Sequence, residues 1–344
     1  MLTLQEYDEI PQGLLELTDT NGLYQYFSRP ALLHLEGQHK EPLFISILLH
    51  GNEDTGFFAV QELLKRYQHK QLPRSLSIFF GNIEAAKHGL RRLDGQPDYN
   101  RVWPGTDFPD CPEKQLMQQV VDIMAQRKPF ASIDIHNNTG KNPHYGCINN
   151  LKQASVYLAS LFSRIVVFFE TPKGVQSMAM SQLCPAITIE CGKPHQANGV
   201  QHATDFVETV LHLETMEPHT NNPPDVEIFH TVARVTIPKS VTFAFENNSP
   251  LNSESYDLLF AKDIDKINFT KLPAGTTLAH VFTDGERPIT AWDDHEKDVT
   301  QDYFSIENNS LKLTKSVMPA MLTLDKKIIR QDCLCYLMEK LAIK

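Results

Sequence analysis

The 344-residue chain has an ordinary globular composition, with 41% hydrophobic and 22% charged residues, and its length predicts two domains or one large domain with an appendage. A net charge near −10 argues against nucleic acid or an anionic membrane surface as the main partner. The acidic N-terminal residues predict no signal peptide, and the longest apolar runs are too short for a membrane helix.

The cysteines are scattered along the chain and lack the paired spacing of zinc ligands. They are Cys111, Cys147, Cys184, Cys191, Cys333 and Cys335. This pattern predicts reduced, mostly buried thiols in a cytoplasmic protein, and it argues against a disulfide framework or a cysteine-based zinc site.

Strand and helix signals alternate over the first two-thirds of the chain. Apolar runs of strand length occupy residues 43–49, 75–82, 130–138, 166–170 and 185–192. Helical patterns occupy residues 112–127, 151–165 and 204–216, and another helix begins near Thr55, with Asp54 or Thr55 as its cap. The alternation predicts an α/β domain with a largely parallel or mixed sheet.

The pattern changes after a polar, proline-rich stretch at residues 217–227, which is typical of a linker. Beyond this stretch, short β-type runs are separated by proline, glycine and asparagine. We therefore predict an α/β domain over residues 1–222 and a smaller, mainly β domain over residues 226–344.

Three of the predicted strands end in side chains that are capable of chemistry. "LLHGNE" supplies His50 and Glu53, "DIHNN" supplies His136, and "TIECG" supplies Glu190. Ligands of open α/β sheets gather at the carboxyl ends of strands, and two histidines with one carboxylate suit a catalytic zinc ion. The pattern thus predicts His50, Glu53 and His136 as metal ligands, with Glu190 as a carboxylate that accepts a proton from water.

Each of these residues also has an ordinary explanation. An H-x-x-E pair is common by chance. His136 could instead bond to Asp134 or Asn137, and Glu190 could pair with Lys193. The convergence of several polar residues on one sheet edge favours the metal site over these alternatives.

A cationic loop follows the predicted strand at residues 75–82. The segment 82–105 contains Arg91, Arg92, Asn100 and Arg101. Arginines in a loop are usually solvated, but a guanidinium can also bind a carboxylate through two hydrogen bonds or polarise a carbonyl.

The motifs "HGNE", "NIEAAKHGLRR", "DYNR", "DIHNNTG" and "AITIECG", in this order over residues 43–192, resemble the succinylglutamate desuccinylase/aspartoacylase family of the zinc carboxypeptidase superfamily. The resemblance implies a zinc-carboxypeptidase-like mixed sheet flanked by helices, followed by a smaller β-rich domain. It also implies one Zn²⁺ per chain, held by His50, Glu53 and His136.

The resemblance implies roles for the other residues as well. Glu190 matches the general base that activates zinc-bound water, and Arg91, or the adjacent Arg92, matches the residue that polarises the scissile carbonyl. Asn100 and Arg101 match the pair that holds the α-carboxylate of the substrate, and Asn137 is placed with them among the substrate-binding candidates.

The chain departs from the family pattern at several points. Ile83 stands where the family has proline, and the segment between Arg92 and Asn100 is longer by about two residues. Family members carry an arginine about ten residues before the base glutamate, which binds an acidic side chain of the substrate. Here residues 174–185 contain no arginine.

Two methionines, Met178 and Met180, stand in the region of the missing arginine. Because a thioether does not pair with an anion, they predict a substrate with an apolar or larger group rather than N-acetylaspartate or succinylglutamate. Lys173 or Lys193 remains as a substitute cation.

The leading hypothesis is therefore a zinc-dependent hydrolase that cleaves an amide bond in a carboxylate-bearing substrate, an N-acyl amino acid deacylase. The alternative is a metallocarboxypeptidase that acts on small peptides, and a third hypothesis is a catalytically inactive binding protein on the same scaffold. The expected partner is a small-molecule or short-peptide substrate, with no nucleic acid and no membrane. The sequence leaves the oligomeric state open.

Overall fold

The computed structural model of the protein describes residues 2–217, 225–246, 256–283 and 287–341. The chain divides into two compact units. The first contains Met1–Asn137 and His144–Glu227, and the second contains Asn138–Pro143 and Ile228–Lys344. Most of the linker predicted at 217–227 lies outside the described residues.

The first unit is built on a mixed sheet. Its strands are β1 (Gln5–Tyr7), β2 (Ala31–Leu35), β3 (Gly37–Ile47), β4 (Leu72–Phe80), β5 (Ala131–His136), β6 (Tyr145–Ile148), β7 (Ile165–Phe168) and β8 (Ala186–Glu190). They are ordered β1-β2-β4-β3-β5-β8-β6-β7. The central strands β4, β3, β5 and β8 are parallel, whereas β2 and β6 run antiparallel to their neighbours β4 and β8.

Helices cover both faces of this sheet. They are α1 (Thr55–Arg66), α2 (Ile83–Lys87), α3 (Pro112–Arg127), α4 (Gln153–Phe162), α5 (Gln176–Met180) and α6 (Ala197–Leu211). On β3, Phe44 packs in one buried cluster with Val120 of α3, whereas Ile47 contacts the start of α1 at Gly56. Since side chains alternate along a strand, α3 and α1 lie on opposite faces.

The second unit is mainly β, as predicted. Its strands are β9 (Glu227–Thr236), β10 (Phe243–Phe245), β11 (Leu258–Phe260), β12 (Thr277–Val281), β13 (Thr290–Trp292), β14 (Phe304–Glu307), β15 (Ser310–Leu313), β16 (Met318–Ala320) and β17 (Cys335–Lys340), and its helices are α7 (Thr300–Tyr303) and α8 (Lys326–Gln331).

The strands of the second unit form two groups. Strand β9 pairs with β13 and with β17, which in turn pairs with β16. A separate five-stranded sheet has the order β10-β11-β12-β15-β14. A buried core that includes Val235, Phe260 and Leu311 fills this unit. The predicted fold class is therefore confirmed.

The topology of the first unit brings three strand ends to one edge of its sheet. Because β3, β5 and β8 are parallel neighbours, their carboxyl ends lie side by side. His136, the last residue of β5, is paired in register with Glu190, the last residue of β8. Within the described part of the chain, no helix combines the length and the apolar character needed to cross a membrane.

Candidate metal centre

The three predicted ligands converge at this sheet edge. His50 and Glu53 lie in the turn after β3, and His136 ends β5. The Glu53 carboxylate is 2.9 Å from Nδ1 of His50 through Oε1 and 2.7 Å from Nδ1 of His136 through Oε2. All three side chains are buried, and their ligand atoms lie within 4.8 Å of one another. One metal ion can span such a set.

A further carboxylate contacts the opposite side of each imidazole ring. Nε2 of His50 lies 2.9 Å from Oδ1 of Asp98, and Nε2 of His136 lies 2.8 Å from Oδ2 of Asp134. When a carboxylate accepts the Nε2–H, the lone pair of the neutral ring is on Nδ1, which here faces Glu53. Both histidines are therefore oriented to present Nδ1 to a metal.

The sequence analysis did not assign Asp98 to the site, and it considered Asp134 only as an alternative partner of His136. Asp134 lies two residues before His136 on the same strand, so strand alternation alone places both side chains on one face. Asp98 lies 48 positions from His50 in the chain, and no local pattern signals their contact.

The buried charges stabilise one another. Burial opposes ionisation of Glu53, but the neighbouring imidazoles hold the pKa of its carboxyl group well below the usual range. Asp98 is partly buried, which opposes its ionisation, yet His50 and Arg91 hold its pKa well below the ordinary value. Burial acts to lower the pKa of His136, but Asp134 and Glu53 hold it well above the usual imidazole value.

The charges of this donor set fit a divalent cation. With neutral imidazoles, the carboxylates of Glu53, Asp98 and Asp134 outnumber the Arg91 guanidinium by three to one, which leaves two negative charges uncompensated. Buried charge of this kind needs a compensating partner. In both geometry and charge, these residues fit a metal ion of charge +2.

The two adjacent arginines take different positions. Arg91 donates from Nη1 to Oε1 of Glu53 at 3.4 Å and from Nη2 to Oδ2 of Asp98 at 3.1 Å. Arg92 donates to the backbone carbonyl of Gln96 instead. The structure therefore brings Arg91, and not Arg92, to the carboxylates of the cluster.

The side chain of Asn100 contacts His136. Its Nδ2 is 3.2 Å from Nε2 of that histidine, and its Oδ1 accepts a hydrogen bond from the backbone N–H of Gln176 at 2.9 Å. The neighbouring Arg101 is half-buried and donates from Nη1 to the backbone carbonyl of Asn100. Asn100 is thus occupied by internal contacts, and Arg101 stays a predicted ligand of the substrate carboxylate.

Glu190 is buried at the end of β8, directly beside His136 in the β5–β8 pairing. The negative charge of its carboxylate affects the pKa of two neighbouring thiols. Burial raises the pKa of Cys147 and of Cys191 well above the usual thiol value, and the carboxylate of Glu190 adds to both shifts. Glu190, buried next to His136, stays the predicted general base.

The remaining substrate-binding candidates, Asn137, Met178 and Met180, differ in how far solvent can reach them. The side chain of Asn137 is buried and bonded to Thr55 and Gly192. Met180 is fully buried in the hydrophobic cluster that packs under α3, so it does not line a solvent-accessible pocket. Met178 is half-buried on α5 and remains accessible.

The sequence of residues 41–216 matches the family model of the succinylglutamate desuccinylase/aspartoacylase catalytic domain. This match spans more than half of the chain, and the protein belongs to that family, as the motifs predicted. The family acts on amide bonds by desuccinylase/aspartoacylase-type hydrolysis, so the protein is placed among hydrolytic enzymes. A search of curated proteins gives no match.

Several solved structures have a similar fold. They include a succinylglutamate desuccinylase from Chromobacterium violaceum, with 16% identity, a TM-score of 0.55 and coverage of 88% of this chain and 86% of that chain. A succinylglutamate desuccinylase/aspartoacylase from Rhodobacter sphaeroides has 14% identity, a TM-score of 0.59 and coverage of 91% and 89%. Murine aminoacylase 3 has 15% identity, a TM-score of 0.59 and coverage of 88% and 96%. At these identities the similarity concerns the fold.

Proposed function

We propose that the protein is a zinc-dependent amidohydrolase that releases an acyl group from an N-acyl amino acid or a similar carboxylate-bearing amide. The observation that carries this proposal is the buried set of His50, Glu53 and His136, with Glu190 in register beside it. Family membership supports the reaction class.

His50, Glu53 and His136 would hold Zn²⁺, which would supply a Lewis acid to polarise a carbonyl and to lower the pKa of water. The carboxylate of Glu190 takes a proton from the attacking water and delivers it to the leaving amine. Arg91, which Glu53 and Asp98 hold in place, donates hydrogen bonds to the oxyanion that develops on the scissile carbonyl.

The proposed substrate preference rests on Arg101 and Met178. Arg101 provides a guanidinium for the carboxylate of the amino acid. Met178 is half-buried on α5, in a segment without arginine, and it suits an apolar substrate group better than an acidic one. The proposed substrates are therefore N-acyl amino acids in which neither the side chain nor the acyl group is acidic, rather than N-acetylaspartate or N-succinylglutamate.

The experiment is a hydrolysis screen of the purified protein against N-acetyl amino acids, longer N-acyl amino acids, N-succinylglutamate and short peptides, read as released amine. N-acyl amino acids without an acidic side chain or acyl group should be the fastest substrates. If N-acetylaspartate or N-succinylglutamate is faster, the argument from Met178 is wrong. Cleavage of C-terminal residues from peptides alone would favour the carboxypeptidase, and no hydrolysis at all would remove the amidohydrolase proposal.

The variant Glu190→Gln tests the assignment of the base. It removes the proton acceptor but preserves shape, so turnover should fall by about 10²–10⁴-fold while zinc content is retained. The matched control is Glu62→Gln on the exposed face of α1, which should behave as wild type. Unchanged turnover in Glu190→Gln would show that another group acts as the base.

A further inference from the structure

One buried amide connects the metal-binding turn with the loop that follows Glu190. Asn137 is only 4% exposed. Its Oδ1 accepts from the backbone N–H of Thr55 at 3.2 Å, and its Nδ2 donates to Oγ1 of Thr55 and to the backbone carbonyl of Gly192, each at 2.9 Å. The amide is therefore fully engaged within the protein.

The partners of Asn137 lie close in the chain to the predicted metal ligand and to the predicted base. Thr55 lies two residues after the ligand Glu53, and Gly192 lies two residues after Glu190. The backbone N–H of Asn137 itself donates to Oε2 of Glu53 at 3.1 Å. Asn137 thus bonds both to the ligand turn and to the loop that carries Glu190 out of its strand.

The backbone at Gly192 has a conformation that favours glycine. Its φ is +74°, and a Cβ at this position would lie 3.1 Å from Nε2 of His144. One residue earlier, the N–H of Cys191 donates to the carbonyl of His136 at 3.0 Å. The hydrogen bond from Asn137 to Gly192 is therefore a second contact between this loop and the end of β5.

A second tie joins the same two segments. Asp54, which is 3% exposed, accepts a hydrogen bond from the backbone N–H of His195 at 3.0 Å. The same carboxylate lies 2.5 Å from Nδ1 of His195. His195 has φ +61°, which L-residues rarely adopt, and such a conformation persists only where surrounding contacts hold it.

We infer that Asn137 is a positioning residue that fixes the distance between Glu190 and the metal ligands, with the Asp54–His195 pair as a second tie. This inference rests on the proposed function, because it takes Glu190 as the base. A base must be held to a fraction of an ångström relative to the reacting group, and a loosened loop moves it away.

The test compares Asn137→Ala with Gln61→Ala. Gln61 is a matched control because it is also a buried amide of the first unit and donates to a loop carbonyl, that of Leu17, at 2.8 Å. Asn137→Ala loses three hydrogen bonds and Gln61→Ala loses two, but only the first variant loses contact with the loop after Glu190. The measurements are kcat and KM on the fastest N-acyl amino acid of the screen, zinc content, and hydrogen exchange of residues 191–196.

In Asn137→Ala, we expect kcat to fall by about 10–100-fold while KM changes by less than about threefold, with zinc retained and exchange at 191–196 accelerated. Gln61→Ala should lower thermal stability without either change. Wild-type kcat and exchange in Asn137→Ala would overturn the inference. So would an equal fall of kcat in both variants, because that would reflect general destabilisation.

A milder variant serves if Asn137→Ala does not fold. His195→Asn tolerates the positive φ better than most residues, keeps the backbone bond to Asp54 and loses the imidazole contact. Accelerated exchange at 191–196 with a smaller fall of kcat supports the inference, and no change in either overturns it. If the wild-type protein hydrolyses no substrate, the proposed function fails, whereas the exchange comparison still decides whether Asn137 holds the loop.

Discussion

At the scale of single residues, the orientation of His50 depends on Asp98. The carboxylate lies 2.9 Å from Nε2 of this histidine and also accepts from Arg91 at 3.1 Å. Partners of this kind fix the tautomer of a ligating histidine and raise its basicity. We therefore expect Asp98 to contribute to metal affinity, in addition to holding Arg91.

We predict that Asp98→Asn weakens zinc binding by about 10–100-fold, because the amide carries no charge and places an N–H group toward Arg91. Competition with a chromophoric chelator measures the dissociation constant. Asp94→Asn, an exposed change in the same loop, should bind zinc as wild type does. Equal affinity in wild type and Asp98→Asn would show that the outer carboxylate has no influence on the site.

At the scale of secondary structure, the turn after β3 packs directly on the backbone of α2. A Cβ on Gly51 would lie 2.2 Å from the backbone N of Ala86 and 2.7 Å from the carbonyl oxygen of Leu90. The backbone N–H of Gly51 also donates to the carbonyl of Arg91 at 3.1 Å. Gly51 lies between His50 and Glu53, and a side chain does not fit there because two backbone segments approach each other closely.

Gly51→Ala should therefore destabilise the protein by more than the ~1–3 kcal/mol that is usual for overpacking, since backbone atoms cannot rotate away, and it should lower zinc content as well. Gly95→Ala is the control. Gly95 has φ +76° and no atom near its missing Cβ, so this change reports conformational strain alone, about 1–2 kcal/mol. Urea unfolding and metal analysis measure both effects. A smaller loss in Gly51→Ala than in Gly95→Ala would contradict this account.

The helices and strands with strong local patterns were predictable from the sequence. α3 spans Pro112–Arg127, the range that the proline and the apolar spacing predicted. In contrast, β6 (Tyr145–Ile148) was not predicted, because a four-residue strand with a central glycine has little local signal and is stabilised by its neighbours β7 and β8.

Contacts distant in sequence account for what was not predicted in the site. His50, Glu53, His136 and Glu190 lie at the ends of apolar strands or just after them, so the local pattern alone predicted that they meet at one sheet edge. The bond from Asn137 to Gly192 spans 55 positions and depends on strand order. Asp54 stands at the N-cap position of α1, but its carboxylate makes no capping bond and turns to His195, while Asn137 serves the first N–H of the helix.

At the scale of the whole molecule, the two units are not separate in sequence. Residues Asn138–Pro143, which follow the metal ligand and Asn137, belong to the second unit, whereas the predicted domain of residues 1–222 included them in the first. Within the second unit, Asn142 accepts a hydrogen bond from Met321 N–H at 3.1 Å, and a Cβ on Gly140 would lie 1.9 Å from the Leu322 carbonyl oxygen.

A protein truncated after Glu227 would lose these partners of the segment that follows His136. We predict that it unfolds at lower temperature than the full chain and binds less than one zinc ion per chain. Circular dichroism and metal analysis provide the measurement, with the full chain as reference. A truncated protein with unchanged melting temperature and full zinc content would show that the first unit is independent.

The central claim is that hydrolysis requires one zinc ion at His50, Glu53 and His136. The most direct measurement strips the purified protein with a chelator and then titrates Zn²⁺ while the hydrolysis of the fastest N-acyl amino acid is followed. The account predicts no hydrolysis in the stripped protein and a rate that rises linearly to a plateau at one zinc ion per chain. Full hydrolysis by the stripped protein, or a failure to bind zinc, would contradict it.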